Sequence, residues 1–123
     1  MPDWIKKTLA IGWTLLLFIL LSIPSTEIPE TGIEWADKVA HLGSFLLLGW
    51  LWMWALNGRF VTRILLFAGG FAVLSEGYQG LLPWERSPDI YDALFNIVGL
   101  ILGILLYRLV KNYHTLRKNH QRA

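Results

Sequence analysis

The stretch Ile64–Leu82, ILLFAGGFAVLSEGYQGLL, decides the fold. Its 19 residues hold one charge, Glu76, and no proline. As a helix rising 1.5 Å per residue it would be about 28 Å long, close to the hydrocarbon thickness of a bilayer. It shows no period-2 alternation, and a membrane barrel would need at least about eight strands. Three further runs share this character. Thr8–Ile23 stops at Pro24. Val39–Leu56 is interrupted by His41. Ala93–Tyr107 has Asn96 near its start and continues amphipathically to Val110. The expected fold class is all-α, an integral membrane bundle of four transmembrane helices.

Composition agrees. Of 123 residues, 54% are hydrophobic and 16% charged, against about 25% charged in a typical soluble protein. Mean hydropathy is +0.46. One domain of this size has too little interior to hide so much apolar surface from water. These values argue against disorder, a nucleic-acid-binding module and an ordinary soluble enzyme. Without cysteine there is no disulfide, thiolate metal site, cysteine nucleophile or acylation at a cysteine. The first run follows Lys6 and Lys7 as a signal peptide would, but it is long for one and no A-x-A-like site follows. It reads as a span.

Charge sets the expected orientation, because short loops rich in Lys and Arg stay cytoplasmic. Lys6, Lys7, Arg59, Arg63, Arg108, Lys111, Arg117, Lys118 and Arg122 fall on one side, and only Lys38 and Arg86 on the other. That other side carries Glu27, Glu30, Glu34, Asp37, Glu85, Asp89 and Asp92. The chain is therefore expected in the cytoplasmic (inner) membrane with both termini cytoplasmic. Residues 1–110 would form the membrane domain and 111–123 a basic, frayed helical tail. Trp35 and Trp84 would mark the outer interface, and Trp4, Trp54 and Tyr107 the inner one. Thr31–Glu34 reads as a capping box, and Ser87-Pro88-Asp89 as an N-cap with proline in the first turn.

The polar residues within the runs gather at one depth. Glu76 lies about 9 Å inside the Pro83 end of its span, with Gln79 on the same helical face. Asp37 and His41 are four apart on the second run, beside Lys38. Asp92 and Asn96 are four apart on the fourth, with Asp89 one turn earlier and Arg86 in the loop before it. Ionisable groups in a membrane are candidate functional sites by default. His41 and Glu76 are the candidate proton-exchanging, catalytic pair. Asp37, Lys38, Gln79, Arg86, Asp89, Asp92 and Asn96 are the candidate binding residues, with Arg86 and Lys38 suited to phosphate or carboxylate.

These nine positions carry a resemblance to a known family. Asp37-Lys38-x-x-His41, Ser75-Glu76-Gly77-Tyr78-Gln79 and the run from Arg86 through Asp89, Asp92 and Asn96 to Gly99 resemble, in this order, the three motifs of the VanZ-like family. The likeness covers about residues 9–110. It implies a small multi-pass membrane protein. The family's namesake gives low-level resistance to teicoplanin, a glycopeptide with a lipid tail that targets cell-wall precursors. The resemblance supplies no reaction.

Plainer readings stand beside these. Asp37 and His41 could be a helix-end acid and a satisfied interfacial histidine, and Glu76 and Gln79 polar contacts between helices. Arg86, Asp89 and Asp92 could form a surface ion-pair network. Gly99 and Gly103, and in similar fashion Gly69, Gly70 and Gly77, read as close helix packing. No metal site is expected, because no HExxH, H-x-H or second embedded histidine is present, and His114 and His120 lie in the tail. Ser75 lacks a nucleophile elbow. The basic tail suits the positive-inside rule or anionic lipid rather than nucleic acid. No cofactor or oligomeric state can be read. Two functions remain: an outward-facing pocket on spans two to four that binds or acts on a lipid or cell-wall-precursor headgroup, or a non-catalytic scaffold whose polar cluster only fixes packing. Ion transport would need polar residues in the inner half, where none is found.

Overall fold

The structure, a computed structural model, describes residues 1–23, 35–83 and 89–122. It contains four helices, α1 Asp3–Ser22, α2 Ala36–Ala55, α3 Val61–Leu81 and α4 Ile90–Arg122. Each begins before its apolar run, and α4 also continues well past it, because i to i−4 hydrogen bonding continues through flanks that have no reason to break it. The expected capping box at Thr31–Glu34 lies outside the described residues, as do Trp84 and Arg86. Ser87 and Pro88 of the expected α4 cap are also outside them; at the start of α4 the Asp89 carboxylate accepts from the Tyr91 N–H at 2.8 Å. The tail is continuous helix to Arg122.

Contacts between helix ends show that the four run alternately up and down. At one end Lys6 of α1 donates to the Asn57 side chain (2.9 Å) and Lys111 of α4 to its carbonyl (2.6 Å). Asn57 lies in the turn from α2 to α3. There the Gly58 N–H reaches back to the Met53 carbonyl at 2.7 Å, and Gly58 takes φ +79°, the left-handed closure of a helix C-terminus. At the other end the Gln79 side chain donates to the Leu21 carbonyl at 3.1 Å, and Ser22 meets the Tyr78 hydroxyl at 3.2 Å. The basic residues Lys6, Arg59, Arg63 and Lys111 thus share one end, and Asp37, Lys38, Asp89 and Asp92 the other.

Helices α2 and α4 form the most intimate pair. A Cβ at Gly49 would lie 2.6 Å from the Leu100 carbonyl oxygen. One at Gly99 or Gly103 would run into the Leu42 or Leu46 carbonyl. The two backbones touch through these glycines, as expected for small-xxx-small spacing. The glycines of α3 do not act this way: among the described residues nothing lies within 4 Å of a Cβ at Gly70 or Gly77, and Gly69 reaches only a Leu100 methyl. Their spacing was compatible with close packing, but their faces turn away from it. Helix α1 joins α2 through indole donors, Trp13 to the Ser44 carbonyl and Trp52 to Thr14, both at 3.1 Å. The core between the helices contains Leu17, Phe45, Leu48, Met53, Ala72 and Leu100.

The outside is as apolar as the inside. Phe67 is 79% exposed, Leu74 73% and Leu66 70%, and many large apolar side chains of α1 and α4 are also uncovered. Water would not tolerate such a surface, whereas lipid would. Helices α1, α3 and α4 are long and apolar enough to cross a membrane. Helix α2 has the same length as α1 but carries Asp37, Lys38, His41 and three tryptophans, and it is the most enclosed by its neighbours. Its 20 residues would still rise about 30 Å.

Candidate functional site

The buried polar side chains among the described residues are His41, Ser75, Glu76, Gln79, Asp92 and Asn96. All six lie in the half of the bundle away from the basic end: near the start of α2, the end of α3 and the start of α4. The two i, i+4 pairs expected from sequence, Asp37 with His41 and Asp92 with Asn96, sit on α2 and α4 and face each other. This is where the glycine contacts bring those helices together, so close packing is what makes the site.

His41 is its centre. Its Nδ1 lies 2.9 Å from Asn96 Oδ1. With the amide oxygen toward the ring, Nδ1 is the donor of this bond. Nε2 is 3.7 Å from Asp92 Oδ2 and 3.8 Å from Asp37 Oδ1, beyond hydrogen-bond range. Asn96 is fully buried, and its Nδ2 has no hydrogen-bond partner among the described residues.

Lys38 forms a second layer. Its ammonium reaches Asp89 Oδ2 at 2.9 Å and Asp92 Oδ1 at 3.0 Å. Asp92 is therefore shared, one oxygen toward Lys38 and the other toward His41. Exposure grades across the cluster: the side chains of Asp37 and Asp89 are 56% and 39% exposed, and that of Asp92 only 8%. Asp37 and Asp89 form a rim, and Asp92, His41 and Asn96 a floor. The Lys38 ammonium, followed by the Tyr91 N–H, holds the Asp89 carboxyl below its usual range.

The sequence offers His41 and Glu76 as a pair; among the described residues the polar contacts of His41 run to Asn96, Asp92 and Asp37. Glu76 is buried on α3, between Ser75 and Gln79. Gln79, a candidate binding residue, gives its amide N–H to the Leu21 carbonyl and so satisfies an open acceptor at the end of α1. Lys38, expected to be available for an anion, already holds two carboxylates. The signal for the His41 and Asp92 contact was present in the two matching i, i+4 pairs, but helix pairing cannot be read from spacing alone. An apolar groove of about 470 Å³ lies toward the basic end, lined by Leu48, Trp52, Phe67 and Phe71, with Thr14 and Arg63 its polar members. It holds none of the cluster residues.

Fold and site together define a small helical membrane-compatible protein with a polar cluster where the start of α2 meets the start of α4. The chain matches the VanZ/LLP1 family over residues 4–111 and belongs to that family. No curated protein and no solved structure matches it.

Proposed function

We propose that this VanZ-family protein crosses the cytoplasmic membrane four times, with both termini in the cytoplasm. Its polar cluster then faces outward and takes the polar headgroup of a lipid-linked or cell-envelope molecule. One observation carries the proposal: every buried polar side chain among the described residues lies in the same half of the bundle. Polar contacts that only joined helices would be as useful at any depth, and they average about 0.6 kcal/mol in membrane proteins. Buried ionisable groups at one depth are an expensive way to obtain so little. The graded exposure from Asp37 to Asp92 gives a headgroup a way in, while its tails stay among the apolar helix faces. His41 is the residue placed to exchange a proton. A lipid-linked cell-wall precursor as ligand would place the protein where teicoplanin acts.

Native mass spectrometry of the detergent-purified chain tests this, wild type beside Glu76→Gln. The wild type should retain a defined lipid or precursor. The variant should lose it with an unchanged melting temperature. Equal retention of the same mixed lipids by both would overturn the proposal and leave the cluster as packing.

A further inference from the structure

We propose that Asp37, His41 and Asp92 form a binding site for a first-row divalent cation, Zn²⁺ or Mn²⁺. The cation site stands on the geometry of these three side chains; its service to a headgroup rests on the function proposed above.

One ligand atom from each of the three lies within 4.8 Å of the other two, with His41 Nε2 3.7 and 3.8 Å from the carboxylate oxygens. A tetrahedral centre with bonds of about 2.1 Å holds its ligand atoms about 3.4 Å apart. The separations from Nε2 thus need only a slight contraction. They are too long for hydrogen bonds, so the group is not a hydrogen-bonded triad. His41 is nine-tenths buried, and its Nε2 makes no hydrogen bond among the described residues while facing both carboxylates.

The surroundings fit a ligand role. Metal-binding histidines usually fix their second nitrogen on a polar partner, which sets the tautomer. Asn96 does this for His41 Nδ1. Lys38 occupies Asp92 Oδ1 and leaves Oδ2 for an ion. Charge among the described residues of the cluster also favours a cation: Asp37, Asp89 and Asp92 are three carboxylates, and the Lys38 ammonium bonds two of them. Excess negative charge at the edge of a membrane is costly, and a dication would cancel it. Three protein ligands leave a position open for water or a phosphate oxygen. An anionic headgroup could then bind at a site whose own lysine is already taken. Sequence spacing argues against a metal because the ligand set is split between two helices, and only their packing assembles it.

The test uses the full-length, detergent-purified chain after chelator treatment. Mn²⁺ binding is read by loss of the free-ion paramagnetic resonance signal, and Zn²⁺ by elemental analysis after gel filtration. One ion per chain is expected. Asp92→Asn and Asp37→Asn should each weaken binding more than about tenfold, and Asn96→Ala by about 10–100-fold. Asp3→Asn, the same charge change at the opposite end, should leave it unaltered. If Asp92→Asn does not fold, Asp37→Asn still decides, because that side chain is mostly exposed. Failure of the wild type to hold an ion would overturn the site, as would equal binding by Asp37→Asn and Asp3→Asn. Retention of the same anionic lipid with and without Zn²⁺ would keep the cation site and remove its role in holding the headgroup.

Discussion

Asp92 shows how much one side chain can decide. Its carboxylate joins Lys38 to His41, and both contacts cross from α4 to α2. Replacing Lys38 by methionine would leave three carboxylates facing one another without their ammonium. A sign follows for pH. The Asp89 carboxyl lies below its ordinary range because of Lys38, so this pair contributes stability that is full above the unfolded value of about 3.9 and is lost as pH falls through the folded value. Lys38→Met should lower the melting temperature at pH 7, and the gap to wild type should narrow below about pH 4. A gap of the same size at both pH values would show that the lysine stem matters through packing rather than charge.

The helices differ in what their glycines do. On α4, a methyl at Gly99 or Gly103 would strike α2 carbonyls, and backbone cannot turn aside as a side chain can. Gly99→Ala and Gly103→Ala should each destabilise by about 1–3 kcal/mol, the range for overpacking. On α3, Gly70→Ala and Gly77→Ala meet nothing among the described residues and should be neutral or slightly stabilising, since alanine favours helix by about 0.5–1 kcal/mol. Thermal unfolding in detergent measures all four. A uniform response would mean that α2 and α4 do not approach through Gly99 and Gly103. The α4 glycines should also act on the site, because spreading these helices separates His41 from Asp92 and Asn96.

For the whole molecule, the charge partition gives a topology that labelling can check. The chain has no cysteine, so single substitutions report without background. With a membrane-impermeant maleimide on intact cells, Thr31→Cys should react and Lys118→Cys should react only after lysis. Labelling of Lys118→Cys in intact cells would reverse the orientation and put the polar cluster on the cytoplasmic side.

Much of this was legible in the linear chain. The four apolar runs are long and lack period-2 alternation, which leaves helix as the way each satisfies its own backbone. Lys and Arg placement is equally local, so the division into a basic and an acidic end could be read directly. The depth of Glu76, His41 and Asn96 followed from residue counting at a fixed rise. Partners did not follow, because helical spacing shows which residues share a face but not which face meets which. Tertiary packing chose Asp92 and Asn96 for His41, turned Gln79 to the end of α1, gave Lys38 two carboxylates and left the α3 glycines idle. Sequence by itself determined the class of protein, its helices and the depth of its polar residues. Only the approach of α2 to α4, closed to backbone contact by glycine, determined which of those residues meet.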